Sequence, residues 1–200
     1  MATCYLVLGT PRSGTSCVAG ILHKLGVRMS LGDFVPASPA NPTGFWEDAA
    51  LFDALGDHDS PYLAMRYAAR NRLLQAVYDR HLPGVDWGAK TCQLAFCMDA
   101  WMSVCNELGV VVKTIMTLWD IEKSKASWRN AFGTDDSIVT TVAGLISPYS
   151  PTSLIVPFDD LLNQTSSTVS AIATYCGKPT SGTAFDDAVS FVNPSLRNYP

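Results

Sequence analysis

Short apolar runs along the chain have the composition of β-strands. Residues 4–8 form an unbroken apolar run, which is typical of a strand covered on both faces in a parallel sheet. Residues 110–118 are rich in β-branched side chains and give the strongest strand signal. A further strand is predicted at 153–158, and a short one at 85–89.

Helical periodicity fills the segments between these runs. Residues 14–25 place Val18, Ile21, Leu22 and Leu25 on one stripe, and Gly26 follows as a C-terminal cap. Further helices are predicted at 47–56, 61–81, 94–108, 121–131, 135–146, 165–176 and 183–190. Strands that alternate with helices indicate an α/β fold, and we predict three layers with a mainly parallel central sheet flanked by helices.

The length of the chain, 200 residues, is that of one ordinary domain. Repeated Pro and Gly breaks mark residues 30–46 as a long loop, and loops of this kind are often functional. We therefore predict a single domain over 1–200, in which residues 30–84 form an insertion of loop and helices.

Composition and charge narrow the classes of function. Apolar residues make up 48% of the chain and charged residues 16%, which fits a packed core rather than a disordered chain. A net charge of -4 argues against nucleic-acid binding, because that binding depends on many Lys and Arg side chains. Any anion must therefore be held by a local site.

Targeting signals and cysteine spacing indicate where in the cell the protein is found. We recognise neither a signal peptide nor a run long enough to span a bilayer, and so predict no membrane association. The six Cys form no CxxC pair, and the three His are scattered, which argues against a metal site. Reduced structural thiols in a cytoplasmic protein are the prediction.

The clearest candidate chemistry lies between the first strand and the first helix. The segment reads Gly9-Thr10-Pro11-Arg12-Ser13-Gly14-Thr15-Ser16. Backbone N–H groups of such a turn, together with the helix N-terminus, can hold a phosphate or sulfate group. Thr15 stands where the triphosphatase motif GxxxxGK[ST] has its Lys, which argues against hydrolysis of ATP or GTP. Arg12 instead supplies a planar fork of donors from within the loop.

This loop resembles that of the sulfotransferases that use 3′-phosphoadenosine 5′-phosphosulfate. Residues 11–16 fit the family's P-[KR]-S-G-T-[TS] pattern at every position. Further segments resemble small bacterial and phage-type members, in the same order along the chain: 20–27, 41–48 (NPxGfxE), 153–162 and 191–197. The resemblance implies a P-loop-type fold, that nucleotide as sulfate donor without a metal, and a small-molecule or glycan acceptor.

The resemblance also implies roles for individual residues. Residues 9–16 would hold the 5′-phosphosulfate through amides, hydroxyls and the Arg12 guanidinium. Lys90 lies in a segment similar to the family's G-x-K-D-P, without the Asp-Pro, and would stabilise the bridging oxygen. Glu47, at the end of the NPxGfxE-like segment, is the candidate general base. The insertion over 30–84 would wall the acceptor pocket.

Each of these roles has an alternative. Lys90 has the alternative of an ordinary surface lysine. Glu47 has the alternative of a helix-capping acid, since acidic residues are common in first helical turns. His23, on the helix that follows the loop, is the rival base.

The nucleotide end departs from the family pattern. The family has R-[DN]-P after the central strand and a Ser eight residues beyond the Arg, and both hold the 3′-phosphate. Here Trp119 takes the place of the Arg and Ile121 that of the Pro, while Ser127 matches the Ser. Compensating cations could come from Arg197 or from the helix after the strand, at Lys123, Lys125 and Arg129.

Three functions remain open on the sequence alone. The first is sulfuryl transfer to a hydroxyl or amine acceptor. The second is a non-catalytic phosphate or nucleotide binder with a degraded 3′-phosphate site, as Trp119 indicates. The third is a phosphate-loop kinase, for which Asp120 is a candidate magnesium-holding residue.

Overall fold

A parallel sheet forms the centre of the structure. The computed structural model describes residues 2–55, 79, 84–133 and 135–196. Within these ranges the strands are β1 (Thr3–Gly9), β2 (Trp87–Lys90), β3 (Val111–Leu118) and β4 (Leu154–Pro157). They are all parallel and lie in the order β2-β1-β3-β4. The predicted α/β fold with a central parallel sheet flanked by helices is confirmed.

Helices connect the strands and follow the last of them. In the described residues they are α1 (Thr15–Lys24), α2 (Ala49–Leu55), α3 (Leu94–Glu107), α4 (Ile121–Phe132), α5 (Ser137–Ile146), α6 (Phe158–Asn163), α7 (Thr165–Tyr175) and α8 (Thr183–Phe191). Short 3₁₀ turns cover Ser147–Thr152 and Pro194–Leu196. The helix predicted at 61–81 falls mainly outside the described residues. No helix in the described ranges combines the length and apolarity that a membrane crossing requires.

Alternate residues of β1 face two separate halves of the core. Cys4, Leu6 and Leu8 pack into a cluster with side chains of α2, α3 and α5. Tyr5 and Val7 pack on the other face with α1, α7 and α8. The continuous apolar run at 4–8 is explained by this arrangement, since helices cover both faces of the strand.

The strand register brings distant residues to one edge of the sheet. Val7 of β1 pairs with Lys90 of β2, and Gly9 of β1 pairs with Thr117 of β3. The carboxyl ends of parallel strands meet at the same edge, where ligands of open α/β sheets commonly bind. The β1–α1 loop, β2's final Lys90 and the segment after β3 therefore lie together.

The segment from residue 30 to 48 is folded back on itself before α2. Val35 N donates to Glu47 O at 2.8 Å, and Ala49 N donates to Asp33 O at 3.1 Å. The buried Asp48 carboxylate accepts from Leu51 N at 2.9 Å, which caps the start of α2. The helix expected from residue 47 therefore begins at Ala49, and Glu47 lies outside its first turn.

Candidate functional site

A cavity of about 790 Å³ opens at the carboxyl edge of the sheet. Its wall is built from the β1–α1 loop, the 30–48 segment, the end of β2, helix α4 and the residues around α8. Nine of the twelve residues that the sequence predicts to bind the donor or to act in catalysis line it: Gly9, Pro11, Arg12, Gly14, Thr15, Ser16, Glu47, Lys90 and Ser127. Thr10 and Ser13 lie in the same loop but do not line the cavity, and Arg197 falls outside the described residues.

The first backbone amides of α1, which follow the β1–α1 loop, donate no hydrogen bond to an N-cap side chain in the described residues. Gly14 precedes the helix with φ 91°, and no side-chain cap hydrogen bond closes this helix end within the described chain. A Cβ on Gly14 would lie 2.3 Å from the Phe158 ring, so glycine is required by both space and conformation. Arg12 also adopts a positive φ, 72°, which is uncommon for a residue with a side chain. Such a helix start has the charge and donors that suit an anion.

The Ser13 side chain holds the loop in place from beneath. Its hydroxyl is fully buried, donates to Thr10 O at 2.7 Å and lies 2.7 Å from the Thr117 hydroxyl. Thr117 in turn donates to Leu8 O at 3.4 Å. The Ser13 hydroxyl therefore ties the loop to β3, and its predicted contact with a sulfate stays a prediction.

Arg12 joins the loop to helix α4. Its Nε donates to the Ser127 hydroxyl at 3.2 Å, and its guanidinium lies 6.0 Å from the centre of the Phe132 ring. Burial lowers the pKa of Arg12 from its usual value, but a guanidinium in a protein stays protonated. The structure thus places Ser127, predicted from a different motif, directly against the loop cation.

Lys90 and Glu47 form a buried ion pair at the other side of the loop. Their side chains are only 8% and 7% exposed, and the ammonium donates to Glu47 Oε1. The same ammonium donates to Ser16 Oγ and to Phe45 O, each at 3.2 Å. Lys90 is therefore not a surface lysine, and Glu47 is not a helix cap, because Asp48 holds that position.

Asn41 also belongs to this cluster, although its sequence motif alone predicts no role for it. Its side-chain Nδ2 donates to Ser16 Oγ at 3.0 Å, and it lines the cavity. The sequence signal for it is the Asn-Pro of the NPxGfxE-like segment. Ser16 is thus contacted from both the 30–48 segment and β2.

The wall near the end of β3 is aromatic instead of cationic. Trp119 lines the cavity and packs edge-on against Phe158, with ring centres 5.1 Å apart. Trp128 and Phe132 of α4 continue this wall. Asp120 accepts from Glu122 N and Lys123 N at 2.9 Å each, so its carboxylate caps α4.

The cations proposed to compensate for the missing Arg do not reach the cavity from α4. Lys123, Lys125 and Arg129 are absent from its lining within the described residues. Lys125 pairs with Glu122 at 2.9 Å, and Arg129 pairs with Asp136. Two cations of the described residues therefore line the cavity, Arg12 and Lys90, and of these Arg12 has no carboxylate partner among those residues.

The remaining titratable groups have environments that limit their chemistry. His23 lies outside the cavity on the surface, with its ring 5.3 Å from Phe34 and 5.3 Å from Trp46, and partial desolvation, together with the nearby Lys24 charge, lowers its pKa. Cys17 and Cys92 line the cavity, and burial raises their pKa values to about 12 and about 11. Thiols with such pKa values stay protonated at neutral pH and are poor nucleophiles.

The cysteines and the other potential metal ligands form neither disulfides nor a metal-binding cluster in the described residues. None of the six cysteines, all of which lie in the described ranges, forms a disulfide. Within those ranges no group of three or more His, Cys, Asp or Glu residues is arranged to hold a metal ion.

Comparison of the chain with protein-family models, curated proteins and solved structures gave no match.

Proposed function

We propose that this protein transfers a sulfuryl group from 3′-phosphoadenosine 5′-phosphosulfate to a hydroxyl or amine of a small-molecule or glycan acceptor. The observation that carries the proposal is the convergence of Arg12, Ser16, Lys90 and Glu47 on one cavity, beside an uncapped helix start. The six thiols without a disulfide support a cytoplasmic location.

The loop would bind the sulfate end of the donor. The first amides of α1 and the Arg12 guanidinium are donors, and a sulfate offers acceptor oxygens only. Arg12 is held by a neutral hydroxyl and an aromatic ring, so no carboxylate of the described residues competes with the anion for it. Its place between the loop and α4 positions the cation before the donor binds.

Lys90 and Glu47 would divide the proton and charge movements between them. In the transfer step an acceptor oxygen forms a bond to sulfur as the bond from sulfur to the donor's bridging oxygen breaks. The bridging oxygen gains negative charge, which the Lys90 ammonium can stabilise. The acceptor loses its proton to the Glu47 carboxylate. As Lys90 turns toward the leaving oxygen, Glu47 loses its ionic partner and becomes a better proton acceptor.

A non-catalytic phosphate or nucleotide binder is the second candidate function. The observation that favours it is the Trp119 wall, which supplies no charge for a 3′-phosphate. The kinase hypothesis has less support, because the Asp120 carboxylate caps α4 and does not line the cavity.

A transfer assay with Glu47→Gln tests the proposal. Release of adenosine 3′,5′-bisphosphate from the donor is measured with a panel of phenolic, alcoholic, amine and saccharide acceptors. We expect turnover by the natural protein and a loss of about 10²–10⁴-fold in Glu47→Gln, with donor binding retained. Glu122→Gln, on the exposed face of α4, serves as the matched control and should leave turnover unchanged.

Three outcomes separate the candidate functions. Full turnover in Glu47→Gln would remove the base assignment. Binding of the bisphosphate without turnover on any acceptor would favour the non-catalytic binder. Tight, magnesium-dependent binding of ATP would favour the kinase.

A further inference from the structure

The Ser16 hydroxyl, at the start of α1, accepts hydrogen bonds from two donors. Asn41 Nδ2 donates at 3.0 Å and the Lys90 ammonium donates at 3.2 Å. A hydroxyl oxygen has two lone pairs and one proton, so these contacts use both lone pairs. The O–H bond therefore points along the remaining tetrahedral direction, and Ser16 can act only as a donor. All three residues line the cavity.

Neither Asn41 nor Lys90 is placed to accept a hydrogen bond from Ser16 instead of donating one. The Asn41 backbone is paired with Ser38 in both directions, at 2.9 and 3.2 Å, and the Thr43 hydroxyl donates to Asn41 Oδ1 at 3.4 Å. The backbone pairing fixes the position of Asn41, and the Thr43 contact to Oδ1 leaves the NH₂ group toward Ser16. An ammonium carries donors alone, and the other two contacts of Lys90 go to Phe45 O and Glu47 Oε1.

The other serine of the loop shows that this arrangement is specific to Ser16. The Ser13 hydroxyl is fully buried and directed at Thr10 O and Thr117. It belongs to the support of the loop and not to the cavity. Ser16 combines a place in the cavity wall with an imposed donor direction.

We propose that Asn41 is a positioning residue that makes Ser16 an obligate donor, so that the site prefers an oxyanion without a proton, such as sulfate, to hydrogen phosphate. The inference rests on the proposed function in taking the β1–α1 loop as the anion site. Phosphate keeps at least one proton at neutral pH and needs an acceptor for it, whereas sulfate keeps none. A buried P–OH without an acceptor is bound roughly tenfold less well.

The charged groups around Ser16 are consistent with this preference. Arg12 and the first amides of α1 can donate to an anion oxygen, and Lys90, whose three N–H groups go to Ser16, Phe45 O and Glu47, adds positive charge beside them. Glu47 is the nearby carboxylate, and its Oε1 is held by Lys90. Asp135, the other carboxylate of the described lining, is fully exposed and accepts from Ser137 N and Oγ.

Calorimetric titration with sodium sulfate and with sodium phosphate, at neutral pH and constant ionic strength, tests the inference. We expect the natural protein to bind sulfate about tenfold more tightly than phosphate. Asn41→Ala frees one lone pair of Ser16, which then accepts from a phosphate proton, and should bring the two affinities within about threefold. Asn41→Asp accepts the Ser16 proton and should weaken both anions by about tenfold.

Controls distinguish positioning from loss of structure. Asn193→Ala removes an amide at the same cavity whose Oδ1 accepts from Ser195, and it should keep the sulfate preference. Thermal denaturation of each variant, followed by circular dichroism, shows whether it is folded, and only folded variants enter the comparison of affinities.

Several results would overturn the inference. These are equal binding of sulfate and phosphate by the natural protein, an unchanged ratio in Asn41→Ala, or binding of neither anion at millimolar concentrations. Sulfate preference without sulfuryl transfer would contradict the proposed function and leave the inference standing. Sulfuryl transfer without a preference for sulfate would support the proposed function and contradict the inference.

Discussion

The two ends of the cavity hold their polar groups in different ways. At one end, Ser16, Asn41, Lys90 and Glu47 form a continuous hydrogen-bonded cluster with an ion pair that is more than nine-tenths buried. At the other end, Trp119 and its aromatic neighbours form the wall, where Arg12 donates to Ser127 and Trp128 Nε1 donates to Asp135 O at 3.0 Å. The first end is organised around charge, and the second around ring packing.

This difference bears on how each part of a nucleotide donor would be held. A preorganised cluster stabilises developing charge without further rearrangement, which suits the end where a group is transferred. An aromatic wall can pack against a base or sugar but cannot neutralise a second phosphate. We therefore expect the affinity for the donor to come chiefly from the loop, with a weak contribution from the 3′-phosphate.

Breaking the ion pair should have the largest effect. Lys90→Met leaves the Glu47 carboxylate buried without its ionic partner, which costs about 3–5 kcal/mol in the free energy of unfolding. The double variant Lys90→Met/Glu47→Gln removes both charges and should recover most of that loss. Urea denaturation of the two variants measures the difference, and equal stability of single and double variants would show that the pair is not energetically coupled.

The glycine before α1 offers a second, smaller test of the loop. Gly14→Ala meets both an unfavourable φ of 91° and the Phe158 ring, and should lower the free energy of unfolding by about 2–4 kcal/mol. Gly26→Ala is the matched control, since Gly26 has φ 85° with open space around it and should cost about 1 kcal/mol. Thermal denaturation compares them. Equal losses would mean that Phe158 does not constrain the loop.

A substitution at the aromatic end should have a still smaller effect. Trp119→Arg introduces the charge that the end of β3 lacks and should tighten adenosine 3′,5′-bisphosphate by about tenfold. Adenosine 5′-monophosphate, which has no 3′-phosphate, should gain less. Competition titrations with both nucleotides check this. An equal gain for both would assign the effect to general attraction of anions rather than to a 3′-phosphate site.

The strands and the loop were predictable because local composition decides them. The apolar run at 4–8 became β1, and the β-branched run at 110–118 became β3, since both are covered by helices on two faces. The strand expected at 85–89 is Trp87–Lys90, which ends on a buried lysine. A charged residue inside a strand lowers the strand signal, and its partner Glu47 lies 43 residues away in sequence.

The hydrogen-bonded details of the site could not be predicted from local pattern. Whether Ser13 or Ser16 faces the cavity depends on Thr117, more than one hundred residues along the chain. The contact between Asn41 and Ser16 likewise depends on how the 30–48 segment folds back across the sheet edge. Asp48 and not Glu47 caps α2, because the two adjacent acids compete for one position and packing decides between them.

Calorimetric titration with adenosine 3′,5′-bisphosphate, on the natural protein and on Arg12→Ala, tests the central claim most directly. The natural protein should bind, and Arg12→Ala should lose about ten- to hundredfold in affinity, because the loop then lacks its one cation. Arg129→Ala, whose native side chain pairs with Asp136, should bind like the natural protein. Absence of binding by the natural protein at millimolar concentrations, or unchanged affinity in Arg12→Ala, would contradict the assignment of this loop as the donor site.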